Sequence, residues 1–272
     1  MSVRGVLAVV GVECSKLSAQ LKARIVLAAC AAGPFAFAAA MRVQSSVPSD
    51  TLFGRAVNDS GFAVPLVVLG FAALWAFPVL TSVVGGDLFS SEDRYGTWST
   101  VLTRSRSRAE VFAGKVLTAL GFSSLAVTAL AVSSVAAGVF VVGQQPLINL
   151  SGVLISPATA LIHVTLAWAC VLPPAFGFTA LAVLLSVATR SSVAGVGLPV
   201  VAGLTMELYA MVDGPEAVRR LFITSAFGTW HGLLTEPRYY RPLIHGTTVS
   251  AAYFVVCLAI AYRVLQRRDI GA

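Results

Sequence analysis

Charge is scarce in this chain. Asp, Glu, Lys and Arg together make 11% of 272 residues, and lysine occurs only three times. A soluble globular domain carries about 25% charge, so a fold built on a charged, water-facing shell is excluded. The net charge of +7 sits at the ends of apolar runs rather than on one polar face, which argues against nucleic acid as a partner. The histidines His163, His231 and His245 lack metal-ligand spacing. Cys14, Cys30, Cys170 and Cys257 form no CxxC pair, and three of them lie inside apolar runs. They read as small apolar side chains rather than as disulfide partners or metal ligands. No GxxxxGK[ST] phosphate loop, HExxH, GxSxG or Asp-rich pair occurs, so the chain does not bind ATP in that manner and is not expected to be an enzyme of the usual membrane kinds. Ion-coupled carriers need ionisable groups within the bilayer. Glu207 alone qualifies, and no inverted repeat is visible. A secondary carrier and a polytopic membrane enzyme remain the alternatives of a different class.

What is abundant is apolar sequence: 57% of the residues, with a mean hydropathy of +0.84. Crossing the hydrocarbon takes about 20 residues of helix. Residues 116–189 form a run of 74 without Asp, Glu, Lys or Arg, enough for two helices joined by a turn at Gly143–Gly152. Further spans are predicted near 23–41, 60–86, 192–212 and 243–263. The chain is therefore expected to be one all-α polytopic membrane domain, 1–272, with six transmembrane helices. Pro173 and Pro174 should bend the fourth of them. At the N-terminus, the apolar stretch after Arg4 is cut short by Glu13, so no cleaved signal is expected.

Thirteen of the 19 basic residues fall in one set of loops and six in the other. The richer side should be cytoplasmic, which puts both termini inside. Residues 2–21 place Val3, Val6, Leu7, Val10, Leu17 and Leu21 near one helical face, with Arg4, Glu13, Lys16 and Gln20 elsewhere. That pattern fits a helix lying in the interface. The outer segment 213–245 mixes Phe222, Phe227, Trp230, Tyr239 and Tyr240 with Arg and Glu, and reads as short helices dipping into the outer leaflet or as an ordinary loop.

Nine of the charged residues crowd into positions 86–115, between the second and third spans. Acids come first, at Asp87, Glu92 and Asp93, and Tyr95-Gly96-Thr97-Trp98 separates them from the bases Arg104, Arg106 and Arg108. Such a segment, 87–115, is either a solvated loop or a docking element whose charges set register and whose apolar side chains give affinity.

Here the sequence resembles the type-2 permeases of ATP-binding-cassette (ABC) exporters. Their pattern is E-x-x-x-G-T, then P-x-S-R, then G-K opening the third span. This chain has Glu92-Asp93-Arg94-Tyr95-Gly96-Thr97, Ser105-Arg106-Ser107-Arg108 and Gly114-Lys115 without a gap. Ser105 replaces the usual proline, which implies a looser turn, and Arg267-Arg268-Asp269-Ile270 is similar to the family's ending. The resemblance implies an interfacial N-terminal helix, a cytoplasmic coupling helix within 87–115 and short re-entrant helices before the sixth span. It implies a chain in the cytoplasmic membrane that holds no cofactor itself. It would pair with a second identical or related permease and with two ABC ATPase subunits that bind ATP and Mg. Asp87, Glu92, Asp93, Arg94, Tyr95, Gly96, Thr97, Trp98, Arg108 and Lys115 would meet the ATPase. The substrate would be hydrophobic or amphiphilic: a lipid, drug or peptide. Glu207, near the outer end of the fifth span, has three options: to reach the interface, to pair with Arg219 or Arg220, or to face the pathway.

Overall fold

A computed structural model describes residues 2–44, 52–98, 107–212 and 214–268. It is an all-α polytopic membrane protein, with six helices long and apolar enough to cross a membrane. Helix α1, Val3–Ala19, starts where the Ser2 hydroxyl accepts a hydrogen bond from the Gly5 amide at 3.0 Å. One extended residue, Gln20, separates it from α2, Leu21–Val43, the first span. The second span, α3, is Ala63–Gly85 and contains a π-helical stretch at Ala72–Ala76. A five-residue helix, α4 (Ser90–Arg94), follows in the charged segment.

The third span, α5, is Arg108–Val142. It begins two turns earlier than the G-K pattern implies, because Ser107 and Glu110 form a reciprocal capping box. Lys115 therefore lies inside the helix, and the charged loop ends at Ser107. A two-stranded hairpin, β1 (Leu147–Ile148) and β2 (Leu154–Ile155), makes the expected turn. The fourth span is broken in two, α6 (Pro157–Ala169) and α7 (Leu172–Thr189). Pro173 and Pro174 occupy the first turn of α7, where a missing N–H costs least. The fifth span is α8, Ser192–Ala210. The stretch before the sixth span holds α9 (Glu216–Arg219) and a 3₁₀ segment, Ile223–Leu234. The sixth span is α10, Arg241–Gln266.

Lipid offers no hydrophobic gain for helix association, so close packing must hold the spans together. At one end Gly61 and Gly138 meet backbone to backbone; at the other, Gly86 and Gly195 do the same. Between them Phe178, Phe227 and Phe77 stack, with centroids 5.8 and 5.0 Å apart, and Trp168 meets Phe77 edge-on at 6.1 Å. Each such pair contributes about 0.5–1.5 kcal/mol beyond its area. Phe227 and Trp230 of the 3₁₀ segment are thus buried against the spans, while Tyr239 and Tyr240 remain exposed. A second apolar cluster, with Phe89, Trp98, Val111 and Leu265, lies at the end where α1, α4 and the end of α10 converge. The basic residues group as their loops do in sequence. Contacts Lys16–Glu92, Lys22–Asp87 and Arg268–Asp93 gather one set, whereas Arg42 and Arg238 bond at the opposite end.

Candidate functional site

The charged segment leaves α3 at Gly86. A Cβ there would overlap the backbone of Gly195, so only glycine lets the second span pass this close to the fifth. The amides of Phe89 and Ser90 donate to the Ser186 hydroxyl at 3.3 and 3.0 Å, which anchors the start of α4 on the fourth span. Ser90 in turn bonds Ser192 of the fifth span at 3.1 Å.

The end of α4 explains the E-x-x-x-G-T spacing. The Thr97 amide donates to the Glu92 carbonyl at 3.0 Å and the Gly96 amide to the Asp93 carbonyl at 3.3 Å. These two bonds make a Schellman closure, which needs a left-handed residue at the position Gly96 holds. Gly96 has φ +63° and nothing near its missing Cβ, so conformation rather than crowding demands glycine there. The Thr97 hydroxyl then donates to the Glu92 carboxylate, locking the turn through side chains as well.

The carboxylates of the segment turn inward. Glu92 is 4% exposed and bonds Lys115 and Lys16, each at 2.9 Å. Both lysines also reach Glu13, at 3.1 and 3.0 Å. Four alternating charges thereby join α1, α4 and α5, and Lys115 is completely buried. Its ammonium has a third acceptor in the Leu88 carbonyl at 2.8 Å. Gly114 allows this: a Cβ there would lie 2.5 Å from Cγ1 of Val9, so glycine lets α1 lie against α5. The G-K pair thus supplies a close approach and a buried cation in adjacent positions. Glu13 belongs to the inward face of α1 with Val6 and Leu17, while Val3 and Leu7 face out. This corrects the amphipathic reading, because the Lys115 ammonium outweighs the helix's apolar periodicity at that position.

Four of the remaining charges are also committed within the chain. Asp87 pairs with Lys22 of the first span. Asp93 accepts from Trp98 Nε1 at 3.0 Å and from Arg268 at 3.1 Å. Arg108 donates to the carbonyls of Leu265, Gln266 and Arg268, capping the sixth span where its last carbonyls lack partners. Glu110 accepts from the Ser2 amide at 2.7 Å. Of the predicted docking residues, Arg94, Tyr95 and Gly96 face outward. The Arg94 guanidinium bonds the Tyr95 hydroxyl at 3.0 Å and sits 4.7 Å from its ring centroid. With Arg190, Arg94 lines a cleft of about 530 Å³. Ser105 and Arg106 of the resemblance, together with Arg104, Asp269 and Ile270, lie outside the described residues.

Glu207 is half-buried and lies near the Thr224 hydroxyl. Among the described residues it joins no ion pair. Arg220 pairs with Glu216 instead, and Arg219 donates to the Gly214 carbonyl at 3.1 Å. The histidines stand singly: His163 meets Arg238, His231 the Gly228 carbonyl and His245 the Arg220 carbonyl.

Burial opposes charge on Glu92, but Lys115, Thr97 and Lys16 outweigh it and hold its pKa at about 2, against an ordinary 4.5. A depressed carboxyl contributes stability that is complete above the ordinary value and disappears as pH falls through the folded value. The melting temperature of the purified chain should therefore fall as pH drops from 4.5 towards 2, and fall less in Glu92→Gln. Equal slopes for the two proteins would contradict this assignment.

No curated protein matches the chain. The family described as "Protein of unknown function (DUF2705)" matches residues 35–271. The match takes in the charged segment, Lys115, Glu207 and every span from the second onward, and since it covers most of the sequence, the chain belongs to the DUF2705 family.

Proposed function

We propose that this chain is the membrane subunit of an ATP-driven exporter of the type-2 ABC kind. It would act with a second permease copy and two separate ATPase subunits in the cytoplasmic membrane. The end carrying both termini would face the cytoplasm. The observation that carries this reading is the way residues 86–98 are seated. The segment is tied to α1 through Lys16, to the first span through Lys22, to the third through Lys115, to the fourth and fifth through Ser186 and Ser192, and to the end of the sixth through Arg268. The segment also continues the second span directly, so a partner that pushes on it pushes on all six spans together.

The exposed Arg94–Tyr95 pair supplies the contact: a cation for register and a ring for affinity. ATP-driven closure of the ATPases would favour one arrangement of the spans by binding it more tightly. The pathway lies between the two permease copies, and the substrate is hydrophobic or amphiphilic.

The test is affinity purification of the tagged chain from its native membranes. We expect a phosphate-loop ATPase without membrane spans to co-purify in equal amount, with vanadate-sensitive ATP hydrolysis. Arg94→Glu combined with Tyr95→Ala should reduce recovery of that ATPase at least about tenfold, since each tenfold is about 1.4 kcal/mol and a buried charged contact exceeds that. The chain itself should stay folded, because both side chains are exposed. A well-folded wild-type chain with no such ATPase would overturn the reading, and so would unchanged recovery in the double variant.

A further inference from the structure

At the end opposite the charged junction, the 3₁₀ segment, α9 and the first turn of α10 enclose a cavity of about 470 Å³. Glu216, Arg219, Arg220, Tyr239, Arg241 and His245 line it. Among the described residues its lining holds three guanidiniums and one carboxylate, and that carboxylate is already taken. Glu216 Oε1 bonds two nitrogens of Arg220, at 2.5 and 3.0 Å.

Among the described residues neither of the other two arginines forms an ion pair, although Glu216 also feels the Arg219 charge. The Arg241 side chain makes no hydrogen bond or ion pair among the described residues. Arg219 gives one nitrogen to the Gly214 carbonyl, and its Nε is buried without an acceptor. A buried donor left unpaired is costly. Arg241 is also the first residue of α10, where the positive end of the helix dipole repels a cation. One guanidinium without an acceptor among the described residues and a second with an orphaned Nε–H, beside a helix N-terminus, form an arrangement that an anion would relieve.

The surroundings narrow the kind of anion. Leu221 and Ile244, next in sequence to Arg220 and His245, are 62% and 67% exposed. Tyr240 beside Arg241 is exposed as well. The cavity thus holds forked donors suited to phosphate oxygens, with Tyr239 in its lining and exposed apolar and aromatic side chains suited to the membrane boundary next to it in sequence. We propose that this cavity binds the phosphate group of an anionic amphiphile, with Arg219 and Arg241 as its principal ligands. The proposal does not depend on the exporter reading.

The test uses the full chain in detergent micelles, with bound lipid counted by native mass spectrometry. Phosphatidylglycerol is offered against phosphatidylcholine, and inorganic phosphate is tested separately by its effect on melting temperature. The wild type should retain phosphatidylglycerol about tenfold more strongly than phosphatidylcholine. Arg241→Gln should lower that retention about tenfold, the factor expected from one lost charge-assisted bond. Arg241→Lys should keep part of it, and Arg55→Gln, an exposed arginine elsewhere, should change nothing. Arg241 is itself exposed, so its replacement leaves the fold intact. Stabilisation of the wild type by inorganic phosphate, abolished in Arg241→Gln and unaccompanied by lipid preference, would identify free phosphate as the source. Equal retention of the two lipids with no effect of phosphate would overturn the proposal, as would equal losses in Arg55→Gln and Arg241→Gln.

Discussion

Lys115→Met should destabilise the chain by about 3–5 kcal/mol, the usual cost of removing one partner from a buried ion pair. The lysine side chain is 1% exposed and is the one fully buried cation between Glu13 and Glu92. Without it, two nearly buried carboxylates share only Lys16, whose side chain is 44% exposed. Methionine fills similar volume, so the loss reports charge rather than a cavity. Adding Glu92→Gln to Lys115→Met should recover part of the stability, because a neutral amide tolerates that site better than an unpaired carboxylate. Thermal unfolding of the four proteins in one detergent gives the coupling between the two side chains. Additive losses would show that the two residues do not act as a pair.

Gly86→Ala is expected to be nearly as damaging, by a different route. Its Cβ would run into the Gly195 backbone, and Gly195→Ala would meet the Gly86 backbone in return. Neither obstacle can rotate away as a side chain would. The cost should reach or exceed the top of the about 1–3 kcal/mol range for over-packing. Gly121 on the third span is the comparison, since a Cβ there meets nothing within 4 Å. Gly121→Ala should raise stability by about 0.5–1 kcal/mol through better helix propensity. If Gly86→Ala unfolds at the same temperature as Gly121→Ala, the second and fifth spans do not depend on that crossing.

These residues also show what can be read without a structure. Span number and rough limits were legible because a crossing needs a fixed apolar length and charged residues punctuate the runs. Gly143–Gly152 and Pro173-Pro174 mark breaks for the same local reason. The start of the third span was legible too, in Ser107-Arg108-Ala109-Glu110, a capping-box spacing that the G-K pattern overshadowed. Glu13 was not legible. Helical periodicity sorts residues by polarity, and that rule sends a carboxylate outward unless a cation waits inside; the cation lies 102 positions away, at Lys115. The segment 86–98 stood out as charged, but which charges face inward depends on Lys16, Lys22, Lys115 and Arg268, all remote in sequence. The cavity around Arg219 and Arg241 left no local signal, since its parts come from three elements whose approach only the fold sets.

The four-charge junction has a consequence for how the chain enters the bilayer. Glu13 and Glu92 both precede Lys115 in sequence, and synthesis runs from the N-terminus. When the ribosome adds Lys115, the two carboxylates that will neutralise it already exist, one on α1 and one just past the second span. The third span can therefore be inserted with its buried ammonium matched on arrival, and no later helix has to come back to rescue it.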